Sequence, residues 1–330
     1  MGESMATEGG NKAVVAALLA NTGIAITKFV AFFLTGFSSM LAEAIHSVAD
    51  AGNQGLLLLG GKKARKEATE EHPFGFGRER YIYAFIVAIV LFSVGGLFAL
   101  YEAYHKYHEI STGHAEIVSD WRRYAPVVVL VFAIVLETLS FRTAIIETNK
   151  IKGKASFPQF VRRAKSPELP VILLEDLAAL LGLVFALFGV GLSLITGNQY
   201  FDVVGTALIG VLLVVVAVVL ALETKSLLLG ESAAPDARQR IRSALESTPG
   251  IERVIHMKTL HLGPEELLVA VKAGVAGDAT AADVAASIDA AEKAVRVAEP
   301  TARVIYLEPD IYVEGHQPAA RPEPPAPAGH

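Results

Sequence analysis

Residues 81–101, 177–201 and 203–222 each pass without a single charged side chain. A helix needs about 20 predominantly apolar residues to cross the core of a bilayer, and each of these runs is long enough. The composition agrees: only 19% of the 330 residues are charged and 52% are apolar, whereas a soluble domain carries about 25% charge. Intrinsic disorder, a disulfide scaffold and a purely cytosolic enzyme are therefore excluded. The chain has no cysteine, so any metal it binds is held by nitrogen and oxygen rather than thiolate. A formal charge of −5 argues against nucleic acid as a partner, since such binding rests on neutralising phosphates.

Six spans are expected, at about 13–34, 39–61, 81–101, 124–146, 170–196 and 203–222. Residues 1–12 carry Glu3, Glu8 and one lysine and run into a full-length span, which reads as a short N-terminal segment and not a signal peptide. Loop 62–80 holds Lys62, Lys63, Arg65, Lys66, Arg78 and Arg80, and loop 147–169 holds Lys150, Lys152, Lys154, Arg162, Arg163 and Lys165. The opposite loops hold only Lys106, Arg122 and Arg123. Basic residues favour the cytoplasmic side, which places both termini in the cytoplasm. The brevity of the chain and the missing transit peptide point to a bacterial plasma membrane.

Beyond residue 222 the pattern changes. Residues 234–248 have helical spacing with Ile241 and Leu245 on one face, stopped by Pro249-Gly250. Segments 251–262 and 265–273 read as strands around a turn at His261-Leu-Gly-Pro264. A helix over 280–298, capped by Thr280, and a strand over 303–307 complete an α-β-β-α-β domain within 223–313. The Pro/Ala-rich tail 314–330 is expected to be disordered, with His316 and His330 solvated.

Ionisable groups inside a span are costly and call for a reason. Span 2 reads LAEAIHSVADAGNQG. His46 and Asp50, four residues apart, project from one helical face. With Glu43 before them and Asn53 after, they form a polar stripe on an apolar helix. A histidine and a carboxylate at this spacing can offer one nitrogen and one oxygen to a divalent cation; the plainer alternative is an interhelical hydrogen bond. Span 5 contains adjacent acids, Glu175 and Asp176. Neighbours on a helix point about 100° apart, so one faces a given site while the other flanks it or reaches a neighbouring helix. Asp176 lies only two turns from the start of span 5, whereas Asp50 is near mid-span. Either this helix begins earlier, near Arg163, with Pro167 and Pro170 tolerated or kinking it, or the two acids sit at different depths; the earlier start is the expectation. Asn21 and Lys28, and Glu137 with Ser140, either support the bundle interior or pair with one another. His105, His108 and His114 in loop 102–123 read as solvated residues.

HSVAD in span 2, EEHPFGFGRER at 70–80, LLEDLAALLG in span 5 and the α+β domain together resemble the cation diffusion facilitator family, and most closely its zinc transporter nine branch. The resemblance covers about residues 11–312. It implies a polytopic six-helix membrane protein with a C-terminal cytoplasmic α+β (ferredoxin or metallochaperone-like) domain that joins homodimers. It also implies efflux of zinc or a related divalent ion in exchange for protons, with no prosthetic group and no enzymatic activity. Carried over residue by residue, the ligands are His46, Asp50 and Asp176. The family's usual span 5 histidine is replaced by Ile172, and Glu175, a water or Glu43 is left to complete the set. His72 is retained in loop 62–80, whereas Phe76 replaces a common histidine. In the soluble domain His256 and Glu308 occupy ligand positions of some members, but Val271 and Tyr306 fill others.

The resulting expectation is a proton-coupled divalent-cation exporter, most readily for zinc. Neutral His46 with ionised Asp50 and Asp176 would bind the ion, and a histidine that titrates near pH 6.5 would help release it. The oxygen-rich stripe keeps manganese or ferrous iron open as the cargo. The missing span 5 histidine keeps open a membrane metal sensor or scaffold that binds without transporting.

Overall fold

The structure, a computed structural model, describes residues 2–35, 38–113 and 124–314. They form two compact units, one running to Glu231 and including His261–Glu265, the other made of Ser232–Leu260 and the residues from Glu266 onward.

The first unit is helical. It comprises α1 (Gly2–Thr35), α2 (Ser38–Lys63), α3 (Glu79–Val90), α4 (Phe98–Ser111), α5 (Ala125–Ile151), α6 (Phe157–Arg163), α7 (Glu168–Thr196) and α8 (Tyr200–Leu229). A π-helical turn, Leu91–Leu97, joins α3 to α4 without a break. Among the described residues, four stretches are long and apolar enough to cross a membrane: Glu79–Ser111, Pro126–Ile151, Glu168–Thr196 and Tyr200–Leu229. In α1 the apolar stretch is the shorter Val14–Val30. The distribution of side chains is inverted relative to a soluble protein. Leu19, Val128, Phe188, Ile195 and Leu222 are exposed, while Asn21, Lys28, Asn53, Gln54, Glu137, Glu175 and Asp176 are buried. Lipid accepts the outer surface, and the polar groups are enclosed where they can pair with one another.

Close helix crossings rely on small residues. A Cβ on Gly205 of α8 would lie 2.9 Å from the Phe185 carbonyl oxygen of α7, and one on Gly189 would lie 3.0 Å from that of Phe201. Without a hydrophobic driving force between helices in lipid, such backbone approach supplies the packing. Gly96, in the π turn, faces Val214 in the same way, at 2.7 Å from its side chain.

Two expectations are corrected. The third apolar helix does not end near residue 101 but continues to Ser111. Residues 102–111 are thus helix and not loop: His105 and His108 stack on Tyr101 and Tyr104, one turn earlier. His114 lies outside the described residues. The helix bearing Glu175 and Asp176 does not start near Arg163. Instead α6 ends there, Ala164 is extended, and α7 starts at Glu168 after Pro167. The residue before a proline is driven out of the helical region, which breaks the chain at Ser166-Pro167. Pro170 falls in the first turn, where a missing N–H costs nothing.

The second unit has α9 (Pro235–Glu246), β1 (Arg253–Gly263), β2 (Glu266–Gly274), α10 (Ala281–Ala298) and β3 (Ala302–Asp310). The sheet order is β1-β2-β3, and β2 and β3 are parallel, with Val269 opposite Ile305 and Lys272 opposite Glu308. Ile241 and Leu245 of α9 are fully buried, as their spacing predicts, in a core with Val269, Val271, Ala291 and Val295. Thr280 and Asp283 form a reciprocal capping box that starts α10. Gly250, at φ +84°, makes the turn after α9, where a Cβ would strike the Ser287 hydroxyl at 1.9 Å. The tail from 315 onward lies outside the described residues.

Candidate functional site

The polar interior is set by which helix ends meet. Gly60, near the end of α2, lies against Tyr83, near the start of α3. Arg80, at the start of α3, forms a buried ion pair with Glu168, at the start of α7, with Nε and Oε1 3.4 Å apart. The C-terminal end of α2 therefore lies beside the N-terminal ends of α3 and α7. The C-terminal end of α5 is tied to the same end by the 16 residues 152–167, which include α6. Both α2 and α5 consequently run opposite to α7.

The adjacent acids of α7 diverge, as their angular separation predicts. Glu175 receives Asn53 Nδ2 at 2.9 Å on Oε1 and Gln54 Nε2 at 3.0 Å on Oε2, both from α2. Asp176 receives the Ser140 hydroxyl of α5 at 2.8 Å. These contacts put Asn53 and Glu175 at one level although they differ in distance from their helix ends. Gln54 also accepts from Asn21 of α1 at 3.3 Å, while Lys28 of α1 donates to Ser47 of α2 at 3.0 Å. Asn21 and Lys28 thus each pair with α2.

Of the sequence-derived candidates, Asp50, Asn53, Glu175 and Asp176 can be placed. Asp50 is half-buried, one turn before Asn53 on α2. Asn53 is 2% exposed, and its Oδ1 has no hydrogen-bond partner among the described residues. The side chains of Glu43 and His46 lie outside the described residues. Ile172, one turn before Asp176, is fully buried. Among the described residues no three His, Asp or Glu side chains are grouped closely enough to hold a metal ion.

Glu137, read from the sequence with Ser140 as a support of the bundle interior or an internal pair, was not among the candidate ligands. It is 2% exposed, its Oε1 has no hydrogen-bond partner among the described residues, and it sits one turn before Ser140 on α5. Asp176, Asp50, Glu175 and Lys28 all lie within electrostatic reach of it. The signal was present: Glu137 and Ser140 share a face of an apolar helix, and Ser140 is the donor to Asp176.

The other candidate positions are arranged differently. His72 is exposed and its ring meets Phe76 edge-on, with centroids 4.7 Å apart. His256 lies on β1 and Glu308 on β3, with β2 between them. Lys272 of β2 is 3.2 Å from Glu308 and 3.0 Å from Asp310. Hydrogen bonds to these two acids raise the Lys272 ammonium above its ordinary range. A lysine thus already serves the carboxylates of this edge.

Apolar helices around an interior of buried acids and amides define a multi-pass membrane protein. The cation efflux transmembrane domain matches residues 14–229, and the chain belongs to that family. It is 34% identical over 265 residues to the protein of Mus musculus called proton-coupled zinc antiporter SLC30A9, mitochondrial, covering 79% of this chain and 45% of that one. The human protein of the same name is 33% identical over 261 residues, 78% of this chain and 44% of that one. Metal tolerance protein C4 of Arabidopsis thaliana is 25% identical over 256 residues, 77% of this chain and 54% of that one. The chain thus spans just under half the length of the antiporters, whose branch it resembles. Their name is that of a transporter, not an enzyme. The expected bacterial plasma membrane is overturned, because the SLC30A9 relatives, aligned over most of the chain, are named as mitochondrial proteins. Chain length carried no information on the compartment, whereas the multi-pass membrane character stands.

Proposed function

We propose that this chain exchanges a divalent cation, zinc foremost, for protons across a membrane that it crosses six times. His46, Asp50 and Asp176 bind the cargo between α2 and α7, and Asn53, Glu175 and Glu43 shape the surroundings. The observation that carries this reading is the pair of buried α7 acids met by uncharged donors from α2 and α5. An anionic interior of this kind is expensive in lipid unless a cation enters it. Two carboxylates balance a divalent charge, and protons that reach His46 or an acid compete the metal off. Rigid-body movement of helices would expose the site to one side at a time. The C-terminal domain, of ferredoxin-like type over 223–313, joins two copies of the chain. The name of the SLC30A9 relatives favours zinc and proton coupling.

Manganese or ferrous iron is the second reading. It is favoured by the apolar, fully buried Ile172, which leaves His46 as the one imidazole on an otherwise oxygen-rich site. Harder cations gain relative to zinc as nitrogen ligands are lost. The test is cation uptake into proteoliposomes of the full chain under an imposed pH gradient, with zinc, manganese and iron supplied singly and together. Uptake of zinc that collapses with the gradient is expected. No flux of any cation would contradict transport and leave a binding scaffold or sensor, and flux that survives Asp50→Ala would place the site elsewhere.

A further inference from the structure

We infer that the connector between α5 and α7, residues 152–167 with α6, binds anionic phospholipid at the membrane surface, its basic side chains taking the phosphate and Phe157 entering the acyl boundary. Both flanking helices are long and apolar enough to cross a membrane, so the connector is held where the spans end. Residues 148–167 contain Lys150, Lys152, Lys154, Arg162, Arg163 and Lys165 and no acid. Loop 62–80 also carries six basic residues, but it interleaves Glu67, Glu70, Glu71 and Glu79. Membrane orientation follows the count of lysine and arginine, and acids contribute little to it. Orientation therefore accounts for the basic residues of both loops, but not for the missing acids in one of them. Attraction to a negatively charged lipid surface does account for them, because every carboxylate would cancel part of it.

The side chains are arranged to match. Ser156 and Gln159 form a reciprocal capping box that starts α6, and Phe160 and Val161 seat it in the bundle core. That leaves Lys154, Phe157, Arg162 and Arg163 exposed. Among the described residues, Lys150 pairs with Glu147 and Lys165 with Glu231, whereas no carboxylate lies within ion-pair distance of Lys152, Lys154, Arg162 or Arg163. Lys152 donates to the Ala155 carbonyl at 3.1 Å, and its Nζ lies 5.2 Å from the centre of the Phe157 ring. An exposed aromatic ring beside an ammonium group suits the boundary of a bilayer, where the ring meets apolar tails and the charge stays at the headgroup. A soluble anion would use the charges but gain nothing from the ring.

The test counts the phospholipids retained by the purified full chain with native mass spectrometry and follows its Tm in neutral detergent, with phosphatidylglycerol, phosphatidylcholine or glycerol phosphate added. Phosphatidylglycerol should bind and raise the Tm, and neither of the others should match it. Lys154→Gln, Arg162→Gln and Arg163→Gln together should weaken phosphatidylglycerol binding by about 100-fold, at roughly fivefold per basic residue near an anionic surface. Lys62→Gln, Arg65→Gln and Lys66→Gln together make the same change of charge in loop 62–80 and should leave binding near wild type. Phe157→Ser should weaken phosphatidylglycerol binding with all six charges in place. All seven positions are exposed, and each variant is checked for a monodisperse state. Undiminished binding in the first triple variant or in Phe157→Ser, or equal loss in both triple variants, overturns the assignment. So does phosphatidylcholine acting as well as phosphatidylglycerol, which would mean contact without charge recognition, or glycerol phosphate doing so, which would mean a site for a soluble anion.

Discussion

Carboxylates of the C-terminal domain and the two acids in the middle of α7 are served in different ways. In the C-terminal domain the acids have cationic partners close by. Lys272 holds Glu308 and Asp310, Arg240 holds Asp236 and Glu299, and Arg296 holds Glu292. In the helix bundle Glu175 and Asp176 are met by amides and a hydroxyl, and the buried lysine Lys28 lies within reach of Glu137. Near water an acid with a resident cation is electrically complete. In lipid a cluster of acids with mostly neutral partners is incomplete, and that deficit is what a transported cation would fill.

The largest expected effect sharpens this contrast directly. Asp176→Ala should abolish zinc flux in proteoliposomes, whereas Asp310→Ala, which removes an acid already served by Lys272, should leave flux near wild type. Equal loss in both would erase the distinction between these two sets of acids. Next, Gly205→Val should destabilise the bundle by about 1–3 kcal/mol, the usual cost of overpacking, because its side chain must enter the 2.9 Å approach to Phe185. Thermal unfolding in detergent measures it.

A smaller effect is expected from Glu175→Leu. It strands two amides, and hydrogen bonds between membrane helices contribute only about 1–2 kcal/mol at most. A drop in Tm with flux retained would assign Glu175 to holding α2 against α7, whereas lost flux at unchanged Tm would make it part of the cargo site. The smallest effect concerns Glu231. Partial burial raises its carboxyl, but bonds from Lys165 and Ser226 outweigh this and hold it below its ordinary range. Its contribution is therefore complete above the ordinary carboxylate value of about 4.3 and is lost as pH falls through the lowered folded value. The Tm difference between wild type and Glu231→Gln should be small at pH 7 and close on acidification. A difference that grows on acidification would reverse the sign of this pair.

Much of this was legible in the sequence, for identifiable reasons. Runs without charge mark helices because lipid tolerates few exceptions, and the divergence of Glu175 and Asp176 follows from 100° per residue. The Ile241 and Leu245 stripe and the Thr280 cap are local patterns with local causes. Errors arose where the cause was not local. Residues 102–111 are polar enough to read as a loop, yet tyrosine and histidine stack along one continuing helix. The start of α7, expected near Arg163, depends on how Ser166-Pro167 separates it from α6. Glu137 was read only as a support or an internal pair, because which charged groups of α1, α2 and α7 come near it is not encoded by spacing along α5.

The central claim is that the acids of α2 and α7 receive the cation. Crystals of the full chain grown with zinc, measured on both sides of the zinc absorption edge, test it most directly. The account predicts an anomalous peak at about 2.0–2.2 Å from ligand atoms of Asp50 and Asp176. A chain that binds zinc with its only peak in the C-terminal domain, beside His256 or Glu308, would contradict it.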